Sequence, residues 1–452
     1  MNKRNIQHLY SRAGFGILPH ELGSRENWSR DKVVEHLFAV TRNVTPLRID
    51  LSEIINLEVP EGEKRGRTFI KKGRDLLKDY NRAWIDRLMD PSSGIHEKMI
   101  LFWANVFVAK DKNIIHTQQY NNTLRKYALG DFREFVKAVS KAPTMMKYLN
   151  TNRNVKKSPN ENFARELLEL FTLGVGNYTE KDIKEAARAF TGWSFKEGSF
   201  HLNQRRHDSG KKEFLGKSGN FDGDDIIDII LDQRQCARFI CSKIYRYFVN
   251  PDIDEERLEE LTHIFYGDYD IGKLMQYLFK TDWFYNSKNI GVKIKSPIEL
   301  LAGINRVVPL QFKKENQIVF IQKMMGQHLL HPPNVAGWKG DRYWIDTNTL
   351  MFRLNLPAML LNNAILELVE KGGFKDSFAE FYDDKKKKGR TLDVHKSWDI
   401  FERNYGHLGF QEFVDTLIPA SVETKALEGL LKKEDKKTDC IRLMSLPEYQ
   451  LC

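Results

Sequence analysis

Ser158-Pro159-Asn160-Glu161-Asn162-Phe163-Ala164-Arg165-Glu166-Leu167-Leu168-Glu169-Leu170-Phe171-Thr172-Leu173-Gly174 reads as one helix with its start and its stop written into it. Ser158 is placed to cap. Pro159 suits the first helical position, where no backbone donor is needed, and Glu161 closes a capping box. Phe163, Leu167, Leu170 and Phe171 then recur at helical spacing. Gly174 offers a left-handed stop. Thr179 opens a second helix with Asp182 at its third position, and Ile183, Ala186, Ala187 and Phe190 form its inner face. The two helices predict a helical hairpin.

The same grammar extends in both directions. Ser296-Pro297-Ile298-Glu299 is another capping box with proline at the first position. Ile95, Met99, Phe102, Trp103, Val106 and Phe107 make an apolar face on a helix after Ser93. Ile226 to Phe248 is helical in pattern with a break near Gln233, and Leu350 to Leu368 is helical again. Alternation of period two is scarce, and its best case is a short hairpin across residues 194–216. No repeat of fixed period is visible. The expected fold class is therefore all-α, with at most a small β-hairpin near 194–216. Three parts are expected: an N-terminal helical segment over 1–89, a helical core over 90–365, and a C-terminal helical appendage over 366–452 after a basic loop.

Composition sets the bounds. Of 452 residues, 41% are hydrophobic and 29% charged, which allows a packed core and excludes wholesale disorder. Lys plus Arg exceeds Asp plus Glu by 71 − 61 = 10. That excess is patchy. Lys64, Arg65, Arg67, Lys71, Lys72, Arg74 and Lys78 face only Asp75, and a second block runs from Lys385 to Lys388 and ends at Arg390. These read as a solvated helix face and a basic loop. A nucleic-acid partner rests on net charge alone and is disfavoured. Cys236, Cys241, Cys440 and Cys452 form no C-x-x-C pair and no disulfide framework, which fits a reducing compartment. Met1 to Gln7 is polar and reads as no signal peptide, and no stretch approaches a membrane span. A soluble, cytoplasmic protein is expected.

Several dense segments carry a resemblance. His8-Leu9-Tyr10-Ser11-Arg12-Ala13-Gly14-Phe15-Gly16 opens the chain, and Asn160 to Gly174 follows. Then come Ala187-Arg188-Ala189-Phe190-Thr191-Gly192-Trp193, Arg206-His207-Asp208 before Phe214-Leu215-Gly216, Pro332-Pro333-Asn334-Val335-Ala336-Gly337-Trp338, and Thr347-Asn348-Thr349. In this order, over roughly residues 8 to 365, they resemble the DUF1800 family, bacterial proteins named only as a domain of unknown function. The resemblance implies no reaction. It implies a partner, because such proteins are often encoded beside DUF1501 proteins, which resemble alkaline phosphatases and sulfatases and usually carry a twin-arginine export signal. Many relatives have a histidine after the Trp-x-Asn of the first apolar helix, where this chain has Trp103-Ala104-Asn105-Val106. Many also begin with an export signal.

The candidate site residues come from these segments. Glu161, Asn162, Arg165, Glu166 and Glu169 share one helix face. Glu161–Arg165–Glu169 at i, i+4 spacing is an ion-pair ladder, or the paired carboxylates of this face, Glu166 and Glu169 among them, serve acid–base work or hold a divalent cation. His207 is a candidate proton shuttle and Asp208 its neighbour, with a local turn contact as the plainer role. The catalytic candidates are thus Glu166, Glu169, His207 and Asp208. Arg165 and Arg206 suit bidentate binding of carboxylate, phosphate or sulfate. Asn334 and Trp338 complete the ligand-binding candidates, although Trp338 also reads as a core plug. No metal is predicted: His328-Leu329-Leu330-His331 lacks a third ligand, and Asn220 to Asp225 reads as a helix cap rather than a calcium loop. No cofactor signature appears, since Gly174-Val175-Gly176 follows a helix and is only half of a dinucleotide fingerprint.

Two function classes follow. One is a helical partner or assembly factor acting with a DUF1501-like protein, cytoplasmic alone or exported in complex with its signal-bearing partner. The other is a hydrolase or carbohydrate-active enzyme with a Glu/His/Asp/Arg pocket. Convergence of Glu166, Glu169, His207, Asp208 and Asn334 on one concavity favours the second, and separate ion pairs favour the first.

Overall fold

The computed structural model describes residues 1–39, 45–57, 65–92, 94–364, 392–419, 427, 431 and 435–452. The all-α reading holds: 61% of the described residues are helical. Strand is confined, among the described residues, to three two-stranded antiparallel sheets. Trp193–Lys196 pairs with Ser199–Leu202, and Lys212–Phe214 with Lys217–Gly219. The expected single hairpin is thus two, side by side in sequence. A third pairing joins Leu310–Phe312 to Val394–Lys396, a long-range contact that no local pattern announces.

Three of the four expected caps form. Thr179 with Asp182, Asp222 with Asp225, and Ser296 with Glu299 are complete capping boxes. The break near Gln233 is real, with helices Gly223–Leu231 and Arg234–Phe248 on either side. Ser158 is the correction. The helix starts at Asn162, and Ser158 instead donates its backbone N–H to Val155 O at 2.9 Å. The cause is tertiary. Buried Asn154 accepts the Asn160 N–H at 2.9 Å and donates its own amide to Ala187 O at 2.7 Å, which holds 154–160 as a loop. The helix expected over Leu350 to Leu368 is Thr347–Leu361, and Asn363 beyond it has φ +52°. Residues 365–368 and the basic loop 384–390 lie outside the described residues.

The centre of the molecule is the helix Ile95–Val106. Sequence spacing gives it one apolar face, yet Ile95 through Trp103 are all buried. A helix buried all round is an interior helix. It packs between Arg65–Met89 and Ile114–Tyr127. The first of these, about 37 Å long, turns Leu77, Tyr80, Trp84, Ile85 and Leu88 inward at helical spacing. Trp84 and Trp103 are essentially inaccessible, and each such side chain contributes about 2–3 kcal/mol by burial. The C-terminal helices Trp398–Tyr405, Phe410–Leu417 and Lys436–Met444 close against this body. Lys436 Nζ donates to the carbonyls of Tyr405, Gly406 and Leu408 at 3.1, 2.7 and 2.8 Å, which satisfies a helix end. Residues 293–295 and 450–452 then run antiparallel through an Ile294–Leu451 bridge. No described helix is long and apolar enough to cross a membrane.

Candidate functional site

The interior helix carries Glu97 and Lys98 into the core, which decides where unusual electrostatics lie. Glu97 contacts Arg125, and Lys98 contacts Glu299. The residues nominated by sequence lie elsewhere, in three places.

The first is the helix Asn162–Glu166, which widens into a π-helix over Leu167–Thr172. Leu173 N and Gly174 N both reach Leu168 O, at 2.9 and 3.0 Å. Such widened turns recur at functional sites. Arg165 pairs with Glu161 at 3.2 Å, but its other partner is Glu180 at 2.8 Å rather than Glu169, so only half of the expected ladder forms. Glu169 accepts instead from Tyr178 Oη at 3.0 Å. Partial burial, and then the charge of Glu169, raises the pKa of Glu166. Tyr148 is also raised, by burial first and by Glu166 second. Glu166 and Glu169 are therefore brought together, with two tyrosines beside them. A carboxyl whose proton is held by burial and a like charge is equipped for proton transfer.

The second place is the loop after the first hairpin. His207 Nδ1 faces Thr191 O at 2.8 Å. A carbonyl only accepts, so Nδ1 carries the hydrogen and Nε2 is the basic nitrogen. Asp208 binds Arg188 through Nε at 2.8 Å and Nη2 at 3.3 Å. It also accepts from Gly210 N at 2.8 Å, the turn contact expected of it. The hydrogen bonds from Arg188 lower the pKa of Asp208. Arg206 is exposed, and its carbonyl accepts from Lys156 N at 2.9 Å. No described hydrogen bond or ion pair links this loop to Glu166 or Glu169.

The third place is the Pro-Pro-Asn segment. Exposed Asn334 accepts from Ala336 N at 2.9 Å and sets the turn. Trp338 is buried in the core. Asn105 clamps its backbone, accepting from Trp338 N at 2.7 Å and donating to Trp338 O at 3.0 Å. His328 and His331 stack with ring centroids 4.3 Å apart. No group of three metal-ligating side chains exists among the described residues.

Sequence reasoning missed a fourth place, the buried charge centre around Lys98. Lys98 Nζ donates to Gly14 O at 3.1 Å besides contacting Glu299. Arg12, Lys293, Lys295 and Arg353 lie around the same carboxylate, close enough for each to feel its charge. Burial pushes Lys293 and Lys295 down to about 8. Lys98 and Lys293 outweigh burial at Glu299, which is held at about 2. Gly14 and Phe15, from the opening motif, line a cavity of about 60 Å³ here together with Lys295, Glu299 and Tyr449. A signal was available: Lys98 interrupts an apolar run, and Arg353 sits inside an apolar helix. Glu299 was legible only as a cap, a role it also fills by accepting from Ser296 N at 2.6 Å.

Comparison with known proteins adds one match. A family described as "Protein of unknown function (DUF1800)" matches residues 8–451, nearly the whole chain. No curated protein and no solved structure matches.

Proposed function

We propose, from the premise that this chain belongs to the DUF1800 family, that it works as a helical partner or assembly factor for an alkaline-phosphatase-like or sulfatase-like DUF1501 protein. The supporting observation is what the motif side chains touch. Asp208 holds Arg188, Arg165 holds Glu161 and Glu180, and Asn334 sets its own turn. Polar groups used this way position backbone and surface rather than surround a substrate. Co-expression of the full chain with a DUF1501 protein encoded beside it tests the reading. Co-elution as one complex in size-exclusion chromatography is expected, and separate elution of two folded proteins overturns it. The same reading keeps the chain cytoplasmic alone and carries it across the membrane only with the signal-bearing partner. Fractionation with and without that partner's signal sequence checks this.

One observation favours a second reading, a hydrolase acting through Glu166 and Glu169: the raised proton affinity of Glu166 beside a second carboxylate. Under that reading Glu166→Gln and Glu169→Gln each abolish any hydrolysis found with ester or glycoside substrates. Activity unchanged in both variants sinks it.

A further inference from the structure

A cavity of about 400 Å³ opens beside the Gly14-Phe15-Gly16 turn. Its lining comes mainly from the helices Lys3–Ala13, Pro19–Arg25, Arg30–Ala39 and Pro297–Val307 and from the turns between them. Tyr10, Phe15, Leu18 and Leu37 give it apolar walls, and exposed His20 and Pro91 mark where it meets solvent. A largely apolar concavity with a few convergent polar groups is the usual form of a small-molecule site.

The polar groups of the wall are two arginines, Arg25 and Arg306. Arg306 is only 7% exposed. It makes one described hydrogen bond, from Nη1 to Pro91 O at 2.9 Å, and no described ion pair. Glu21 and Asp90 lie within electrostatic reach of it, but each is engaged elsewhere. Glu21 accepts from Leu18 N at 3.1 Å and pairs with Arg25 at 3.5 Å. Exposed Asp90 accepts from Ser92 N and Oγ, both at 2.8 Å. A buried guanidinium without a counter-charge in contact is unfavourable. Arg25 is held in place, its Nη2 donating to His36 Nε2 at 3.2 Å and its guanidinium carbon 5.2 Å from the centre of the Tyr10 ring. Donors are nevertheless left over. Arg25 Nε and Nη1, Arg306 Nε and Tyr10 Oη are buried and have no hydrogen-bond partner. All three of these residues line this one cavity. Buried polar groups are ordinarily satisfied, so orphaned donors gathered on one wall need an account.

Charge and size narrow the ligand. Arg25 already has Glu21, so one guanidinium lacks a partner and one negative charge suffices. A guanidinium fork matches a carboxylate in two parallel hydrogen bonds. At about 400 Å³ the cavity has room for about a dozen water-sized groups. That is too much space for a bare inorganic ion and too little for a dinucleotide, and the apolar walls ask for an apolar body. We propose that this cavity binds a small organic monocarboxylate, its carboxylate held by Arg306 and Arg25 and its body packed against Tyr10, Phe15, Leu18 and Leu37. The opening motif then has a use: an added Cβ at Gly16, whose φ is +107°, would meet Arg306 Cγ at 3.9 Å, so the turn lies against the stem of the arginine it helps to place. This site is independent of the partner reading above.

Calorimetric titration of the full chain with two carboxylates, hydrocinnamate and octanoate, and with their neutral amides tests it. At least one carboxylate is expected to bind one per chain and about tenfold tighter than its amide. Which of the two binds tells whether the body is aromatic or aliphatic. Arg306→Met should weaken the carboxylate by about tenfold and leave the amide unchanged. Carboxylates that bind no tighter than their amides, or an Arg306→Met loss equal for both, overturn the proposal. Hydrogen exchange of the wild-type chain keeps the test open if the variant does not fold. The bound carboxylate should protect residues 14–18, 20–25 and 36–37, which border the cavity. Protection confined to other segments also overturns it.

Discussion

Gly337 shows how much one residue can depend on another far away in sequence. Its φ is +78°, in the left-handed region, and an added Cβ would collide with Asn105 Oδ1, the atom that accepts from Trp338 N. Gly337→Ala combines left-handed strain with overpacking, and about 3 kcal/mol of stability should be lost. Asn105→Ala leaves the Trp338 N–H and C=O without partners and should cost about 2 kcal/mol. Chemical denaturation of both variants measures these losses, and a loss under about 1 kcal/mol for either would show that the clamp is dispensable. Gly337 and Trp338 are conspicuous in the sequence as a turn and a core plug. Asn105 is not, because it meets them across 233 residues. The same distance hides the Lys98–Glu299 pair, which spans 201 residues.

At the level of the element, four-residue grammar succeeds where nothing tertiary competes with it. Thr179, Asp222 and Ser296 cap as their sequences say. Ser158 carries an equally good capping box, and it fails because Asn154 takes the Asn160 N–H and fixes the approach to the helix. Asn160 does the local work, its Oδ1 accepting from Asn162 N at 3.1 Å in an Asx turn. Ser158→Ala should therefore change stability by less than about 0.5 kcal/mol, and Asn160→Ala should cost about 1 kcal/mol. Urea midpoints for the two variants decide the matter, and the reverse order would restore Ser158 as the cap. The π-turn was equally illegible. A 3.6-residue period places Leu170 inside, whereas the widened turn buries Leu168, Phe171 and Thr172 and leaves Leu170 half-exposed. Spacing shows which residues are apolar, but not a one-residue slip that the packing imposes.

Over the whole molecule, charge pulled into the interior sets the response to pH. His8 and His96 are buried and His328 is half-buried, and desolvation lowers the pKa values of all three, to about 4 for His96 and about 3 for His328. Below pH 6.5 the unfolded chain binds protons that the folded chain refuses, so stability falls as pH falls. Glu299, held at about 2, acts in the same direction, since its contribution is lost between its ordinary value of 4.5 and that value. At the alkaline end Lys293 and Lys295 are lowered from 10.5 to about 8, with Arg12, Lys98, Arg353, Glu299, Asp341, Tyr247 and Cys452 as their charged or titratable surroundings. Between those values the unfolded chain again binds more protons, so stability should rise with pH, by about 1–3 kcal/mol for the more deeply buried Lys293. The rise ends near pH 10, where buried tyrosines such as Tyr247 and Tyr449, raised well above that value, favour the folded state less with each proton their unfolded counterparts release. Urea midpoints should therefore climb from pH 8 to pH 9.5, and midpoints that stay flat or fall over that range would show that Lys293 and Lys295 keep their protons in the folded chain.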